Sequence, residues 1–195
     1  MVAAWLKELK LITAFDVRKI PGVRSYQVKV RLHQGSQSVH LPDVGFGVSQ
    51  VLPVLVQGLY APPGATVIME QPELHLHPAI QSNLADFFVQ TSLAGADEPG
   101  KRVQFILESH SEHFLRRLQR RIADETIPAK DVAIYFCVSD ERGESRMERL
   151  ELDDFGNIHN WPPNFFGDQM TDIAEMTKAG DARRRTLGNQ NPSKP

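Results

Sequence analysis

The hydrophobic positions at the start of the chain change their period, and the two periods predict a helix followed by a β-hairpin. Residues 3–12 place apolar side chains on one side of a helix. Residues 26–32 alternate apolar and polar side chains strictly, which is typical of a half-buried strand. The turn residues Gly35 and Ser36 follow, and residues 37–41 are expected to return as the second strand of a hairpin.

Farther along, short apolar runs alternate with helical patterns, which predicts an α/β fold with a mostly parallel sheet flanked by helices. Helices are expected at about 78–90 and 110–123, and each run between turn residues is short enough for a buried strand. A second hairpin, at the sheet edge, is predicted to end with residues 147–152. The three apolar runs are 66–69, 103–107 and 131–138.

Composition narrows the class of protein without identifying a function. The 195 residues suffice for one core, and 22 basic against 24 acidic residues give no whole-chain attraction to nucleic acid or an anionic membrane. No apolar run approaches the roughly 20 residues of a membrane helix, and the N-terminus lacks the pattern of a signal peptide. The single cysteine, Cys137, is expected to be a buried packing residue in a reducing compartment, so a cytoplasmic location is predicted.

Polar residues collect directly after the apolar run at 66–69. Glu70, Gln71 and Glu73 follow the strand, and His77 precedes Pro78, which suits the first position of a helix. Open α/β sheets bind ligands at the carboxyl ends of their strands. The sequence therefore predicts a ligand site around this turn.

A glycine-rich turn precedes the helix whose apolar face carries Val48, Val51 and Leu55. Gly45, Gly47 and Gln50 lie at its start, and either of two interpretations accounts for them. The helix is a core helix with a glycine cap, or its bare N-terminal amides form an anion site.

The second strand leads into Glu108, Ser109 and His110. Ser109 and Glu112 have capping-box spacing, which predicts that His110 lies in the first helical turn. A lone histidine there is usually a surface or capping residue. The arginines at 116, 117, 120 and 121 are expected on the outer face of this helix, either solvated or contacting phosphate or an acidic partner.

In this order, the motifs resemble the C-terminal half of an ABC-type ATPase, and are most similar to SMC-like and OLD-like AAA ATPases. The resemblance implies a P-loop NTPase-like half-domain. It places Glu70 at the acid associated with Mg²⁺ and Gln71 at the general-base position, where a Gln can orient a water but cannot take its proton. Glu73 is then a substitute base.

The same resemblance assigns the remaining site residues. Gly45, Gly47 and Gln50 correspond to the signature motif, which in the family meets the γ-phosphate of ATP held by the opposite subunit. His77 belongs to the Leu-His-Pro of the D-loop, and His110 corresponds to the switch histidine that senses the γ-phosphate. The implied cofactors are ATP and Mg²⁺, and nucleic acid stays open as a partner.

The P-loop that such an enzyme requires is missing. The nearest match to G-x-x-x-x-G-K-S/T is residues 95–102, where Arg102 replaces the hydroxyl and a strand follows instead of a helix. The expected function is therefore the C-terminal part of a dimeric nucleotide switch, inactive alone, that acts as a homodimer or with a P-loop-bearing partner. A fragment, a split-gene product and a remnant of an ATPase all fit this pattern.

Four segments are predicted. Residues 1–41 form the helix and hairpin, and residues 42–152 the ATPase-like half. Residues 153–179 resemble a short C-terminal module of unknown function, whose helix is expected at 169–179. Its aromatic residues Trp161, Phe165 and Phe166 are predicted to dock on the core. Residues 180–195 are polar and expected to be disordered.

Two other classes of function stay open. A metal-dependent hydrolase could draw its ligands from the histidines and glutamates of the two turns, and a non-enzymatic interaction module would keep the fold for assembly only. Gln71 and the missing P-loop support the interaction module. The candidate metal ligands are Glu70, Glu73, His75, His77, His110 and His113.

Overall fold

The computed structural model describes residues 1–94, 100–139, 142–162, 165–166 and 169–189. The near match to a P-loop at 95–102 therefore lies partly outside the described residues. The chain divides into two compact units, Met1–His159 and Asn160–Pro195. Residues 153–159, expected in the C-terminal module, belong to the first unit.

The N-terminal part forms one helix and a three-stranded antiparallel sheet. The predicted helix and hairpin are confirmed, although the helix ends at Glu8, before the predicted end. The first strand of this sheet was not predicted, because only two of its six side chains are even half-buried and its apolar pattern is weak. The elements are α1 (Val2–Glu8), β1 (Ala14–Lys19), β2 (Tyr26–Arg31) and β3 (Val39–His40).

The middle of the chain alternates helices and strands as predicted. The strands β4 and β5 pair in parallel and in register, so that Thr66 lies opposite Gln104 and Glu70 opposite Glu108. The expectation of a parallel sheet is confirmed for this pair. The elements are α2 (Phe46–Leu59), β4 (Thr66–Glu70), α3 (Pro78–Leu93), β5 (Gln104–Glu108) and α4 (Glu112–Ala123).

Only one face of the β4–β5 pair is covered, so the prediction of fully buried strands is wrong. On the covered face, the Phe88 ring of α3 meets the Phe105 ring of β5 edge-on, with centroids 5.0 Å apart. On the other face, Ile68 is 69% exposed and Ile106 is 50% exposed. The main core lies on the covered side, where α2 and α3 approach so closely that a Cβ on Gly58 would lie 2.7 Å from the Phe87 ring.

The predicted second hairpin is confirmed as β6 (Tyr135–Ser139) paired antiparallel with β7 (Ser145–Arg149). It forms a two-stranded sheet of its own, so its predicted place at the edge of the parallel sheet is wrong. Cys137 is exposed, so its prediction as a buried packing residue is wrong. The side chains of β6 alternate, and Cys137 shares its outward face with Tyr135 and Ser139.

The basic helix α4 does not carry all of its arginines outward. Arg117 and Arg121 both donate to the half-buried carboxylate of Asp86 on α3, and Arg121 also pairs with Asp124. The hydrogen bond to Asp86 raises the pKa of Arg121 above its ordinary value. These two arginines therefore tie α4 to α3, and their predicted outward placement is wrong.

The second unit contains α5 (Gln169–Asn189), which begins at the predicted residue. It continues past residue 179, so the prediction of disorder is wrong for residues 180–189. This stretch contains three arginines, which are good helix formers, and no proline. The rings of Trp161, Phe165 and Phe166 contact one another, while their docking on the core stays a prediction. Across the described ranges, every helix is too short or too polar to cross a membrane.

Candidate functional site

The carboxyl ends of β4 and β5 bring two carboxylates side by side. Glu70 ends β4, Glu108 ends β5, and the register places them opposite each other. Both side chains are exposed. Neighbouring parallel strands lie about 4.8 Å apart, so the two acids are next to each other at one edge of the sheet, where both face solvent.

Gln71 takes an unusual backbone conformation directly after Glu70. Its φ of 45° lies in the left-handed region, which a residue with a side chain rarely adopts, and such strain collects at functional sites. The backbone N–H of Gln71 donates to the carbonyl of Glu108 at 2.8 Å, and its side-chain Nε2 lies 3.5 Å from Glu108 Oε1. The two strand ends are therefore joined at this residue.

His110 lies before helix α4, so its predicted place in the first helical turn is wrong. The residue that caps α4 is Ser111, whose Oγ accepts from the N–H of Phe114, and the predicted Ser109–Glu112 capping box does not form. His110 Nε2 lies 3.4 Å from Glu108 Oε1. The structure thus brings Gln71 and His110 to the same carboxylate.

Glu108 was missed as a candidate residue. The signal was available, because Glu108 ends the second strand as Glu70 ends the first. The register places the ends of both strands side by side, so a position at the strand end marks Glu108 as well as Glu70.

Glu73 is buried, with only 5% of its surface exposed. Its Oε1 accepts from the hydroxyl of Ser109 at 2.7 Å and from the N–H of His110 at 3.1 Å. Its Oε2 has no hydrogen-bond partner among the described residues. A base must reach a solvent water, and the burial of Glu73 argues against that role.

His77 caps the helix that Pro78 opens. Its Nδ1 accepts from the N–H of Ala79 at 3.3 Å, and Pro78 occupies the first helical turn as predicted. The contact with a cofactor predicted for His77 stays a prediction. Next to this cap, His75 has a φ of 62°, and its exposed ring lies 5.9 Å from that of Phe46.

The signature-like turn lies against the turn after β4. Gly45 precedes the first residue of α2, and a Cβ on it would meet nothing within 4 Å. A Cβ on Gly47 would lie 3.7 Å from the side chain of Leu76. Gln50 is exposed one turn into the helix. Gly45 therefore leaves open space at the N-terminus of α2, as an anion site requires, whereas Gly47 faces Leu76.

The structure does not assemble the alternative metal site. Within the described ranges, no group of three or more His, Cys, Asp or Glu side chains is close enough to hold an ion. All six candidate ligands belong to those ranges, so the ligand set expected for a zinc hydrolase is not supported.

Comparison with known protein families gives two matches. Residues 13–116 match the family model described as "AAA domain, putative AbiEii toxin, Type IV TA system". Residues 127–176 match a family described as "Protein of unknown function (DUF3696)". A search of curated proteins finds no match.

Fourteen chains of known structure match this fold. One of them belongs to work described as "Structural biochemistry of ATP-driven dimerization and DNA stimulated activation of SMC ATPases". The TM-score is 0.50 at 16% sequence identity, over 77% of this chain and 83% of that chain. At this identity the likeness shows a shared mixed α/β fold.

Proposed function

We propose that this chain, which belongs to the AAA-domain family matched over residues 13–116, supplies the Walker B half of a nucleotide-binding ATPase. It works as one part of a switch that closes on ATP and reopens after hydrolysis or release. The P-loop comes from another polypeptide segment, because the sequence holds no complete P-loop motif.

The observation that carries this proposal is the in-register parallel pairing of β4 and β5. It puts Glu70, Gln71 and His110 around Glu108 at the carboxyl edge of the sheet. This edge is the place where α/β proteins bind nucleotides. Had the strands paired antiparallel, Glu70 and His110 would lie at opposite ends of the sheet.

The residues present fit Mg²⁺ and a triphosphate. Mg²⁺ prefers one or two carboxylates, keeps several waters and takes its other ligands from phosphates, so the exposed Glu70 is a suitable partner. The open N-terminus of α2 suits the phosphate of a nucleotide held by the opposing head. Bound Mg²⁺ would neutralise charge on the phosphates.

Each residue of this chain then has a defined task. Glu70 would hold the metal, and Gln71 would orient the attacking water without taking its proton, as a Gln does in some GTPases. The imidazole of His110, which lies beside Glu108, would contact the γ-phosphate. Gly45, Gly47 and Gln50 would meet the nucleotide of the opposing head.

The bare face of β4–β5 supports the packing of a missing half against it. Parallel sheets occur almost only with both faces covered, yet Ile68 and Ile106 are exposed. A helix of the P-loop-bearing segment would cover this face and bring the P-loop to the carboxyl edge. The SMC neighbour is described as dimerising with ATP, which supports a two-headed assembly.

The test is ATP hydrolysis by this chain, by a candidate P-loop-bearing chain and by their mixture. We expect activity in the mixture alone. Glu70→Ala should lower the rate at least tenfold without weakening the association, and Ile68→Lys should weaken the association itself. Asp16→Asn, on the exposed edge strand β1, is the matched control and should change neither.

Two results would overturn the proposal. If Glu70→Ala hydrolyses ATP at the unaltered rate, the carboxyl edge is not the nucleotide site. If the mixture associates but stays inactive, the fold serves assembly alone, which is the second candidate function. That reading is favoured by Gln71, which cannot accept a proton.

A further inference from the structure

We infer that four buried or half-buried polar side chains form a clasp that positions His110. We define the polar clasp as Glu73 and Gln81 on one side and Ser109 and Ser111 on the other. It ties the turn after β4 to the turn after β5. The role of His110 at a nucleotide rests on the proposed function, whereas the clasp itself rests on hydrogen bonds.

The first half of the clasp is centred on Glu73. One oxygen of this buried carboxylate receives both the Ser109 hydroxyl and the His110 backbone N–H. The hydroxyl of Ser109 in turn accepts the N–H of Ser111 at 3.1 Å. The backbone on both sides of the His110 side chain is therefore held by a chain of bonds that begins at Glu73.

The second half is centred on Gln81, in the first turns of α3. Its Oε1 accepts from the Ser111 hydroxyl at 2.6 Å, and its Nε2 donates to the carbonyl of Leu76 at 2.9 Å. Ser111 is 9% exposed and also caps α4. Gln81 thus joins the start of α4 to the turn that contains Glu73.

Burying polar side chains costs free energy unless their polar atoms are hydrogen-bonded. A carboxylate removed from water loses several kcal/mol of hydration, and Glu73 recovers part of it through two bonds to Oε1 while Oε2 has no partner among the described residues. An apolar side chain would fill the same space without that cost. The feature that an apolar residue could not supply is the fixed position of the His110 backbone.

The clasp also explains why Glu73 is buried although the sequence suggested a catalytic base. A base would sit where water can reach it, whereas a positioning residue acts through the atoms that it holds. The His110 ring lies beside Glu108, and its backbone is held by these bonds. Glu73 is therefore assigned as a positioning residue, and Gln81 supports it.

The experiment measures hydrogen exchange of the His110 amide in the full chain without nucleotide. Glu73→Met keeps the length of the side chain but removes the hydrogen-bond acceptor. Exchange at His110 should then become at least about tenfold faster, because a hydrogen bond to a charged group is lost. Glu73→Gln keeps an acceptor oxygen, and exchange should stay within about threefold of the unaltered chain. Gln81→Met should speed exchange at Ser111.

The matched control is Asp86→Asn on α3, the helix that also carries Gln81. This change weakens the contact of α3 with α4 and leaves the hydrogen bonds of the clasp in place. If Glu73→Met speeds exchange at His110 no more than Asp86→Asn does, the inference is overturned. Should Glu73→Met fail to fold, Ser109→Ala with Gln81→Met tests the two bonds of the clasp that hold Ser111. Unchanged exchange at Ser111 in that variant would also overturn the inference.

A second readout separates positioning from proton transfer. In an active mixture with a P-loop-bearing chain, Glu73→Gln should keep kcat within about threefold, whereas loss of a general base costs about 10²–10⁴-fold. A loss of that size contradicts the positioning role. Because the exchange experiment needs no nucleotide, its outcome is independent of whether the mixture hydrolyses ATP.

Discussion

The two faces of the β4–β5 pair differ in their side chains and in their surroundings. On one face, Val67, Phe105 and Leu107 are buried or half-buried, and the Phe88 ring of α3 contacts Phe105. On the other, Ile68 and Ile106 lie in solvent, with the side chains of Thr66 and Gln104 hydrogen-bonded beside them. The covered face is apolar throughout, whereas the bare face combines two exposed isoleucines with polar and charged side chains at both ends of the strands.

The difference teaches that the fold of this chain is stabilised from one side and its proposed activity depends on the other. On the covered face, the packing of apolar side chains stabilises the fold. The bare face and the carboxyl edge next to it carry the features that a partner would use. Changes on the two faces should therefore separate stability from assembly.

The largest effect is expected on the covered face. Phe88→Ala removes a ring that is 4% exposed and contacts Phe87, Phe105 and Phe114. We expect a loss of about 3–5 kcal/mol in the free energy of unfolding, measured by urea denaturation. A loss below about 1 kcal/mol would show that α3 does not cover this face in solution.

A smaller loss in the free energy of unfolding is expected for a change at the contact between α3 and α4. Asp86→Ala leaves Arg117 and Arg121 half-buried without their shared carboxylate, and about 2 kcal/mol should be lost. Asp16→Ala is the control, because its ion pair with Arg18 is exposed and should contribute less than about 1 kcal/mol. Equal losses in the two variants would contradict a stabilising role for the buried pairs.

Almost no loss of stability is expected on the bare face. The double change Ile68→Thr and Ile106→Thr keeps β-branched side chains in exposed positions and should alter the free energy of unfolding by less than about 0.5 kcal/mol. The same variant should bind a P-loop-bearing partner more weakly, measured by titration calorimetry. A stability loss as large as that of Phe88→Ala would mean that this face is covered within the chain itself.

The smallest expected effect is a local, pH-dependent loss of stabilisation in the turn that contains Asp153. The Asp153 carboxylate accepts bonds from Asn157, Phe155 and His159, and these hold its pKa below the ordinary value of 3.8. The stabilisation is therefore present above that value and lost as pH falls through the lower pKa of the folded chain. Amide shifts of Phe155 and Asn157 should follow this titration, and Asp154→Asn should leave it unchanged. A midpoint at or above 3.8 contradicts the prediction.

The periods of the apolar residues predicted the helices and the parallel pair because burial on one face imposes its own period. They failed where tertiary contacts decide the outcome. The strand β1 has little apolar alternation and exists through its pairing with β2. Arg117 and Arg121 read as outward residues because Asp86, their partner, is about 30 residues away in the sequence.

The sequence likewise predicted one part of the candidate site and missed another. Residue types and motif order predicted Glu70, Gln71 and His110 as members of one site, and the register brings them to one edge. The burial and positioning role of Glu73 could not be read from spacing. Whether a carboxylate faces solvent or enters the interior depends on the path of the turn, which the left-handed residues Gln71 and His75 bend.

By itself, then, the sequence determined the order of strands and helices and the residues that end the two parallel strands, since both follow from local periodicity and turn chemistry. Tertiary structure alone decided that one face of the sheet is bare, that Glu73 is buried and accepts the His110 N–H, and that Arg117 and Arg121 of α4 pair with Asp86 on α3. These three features depend on partners distant in sequence, and local patterns contain no information about such distances.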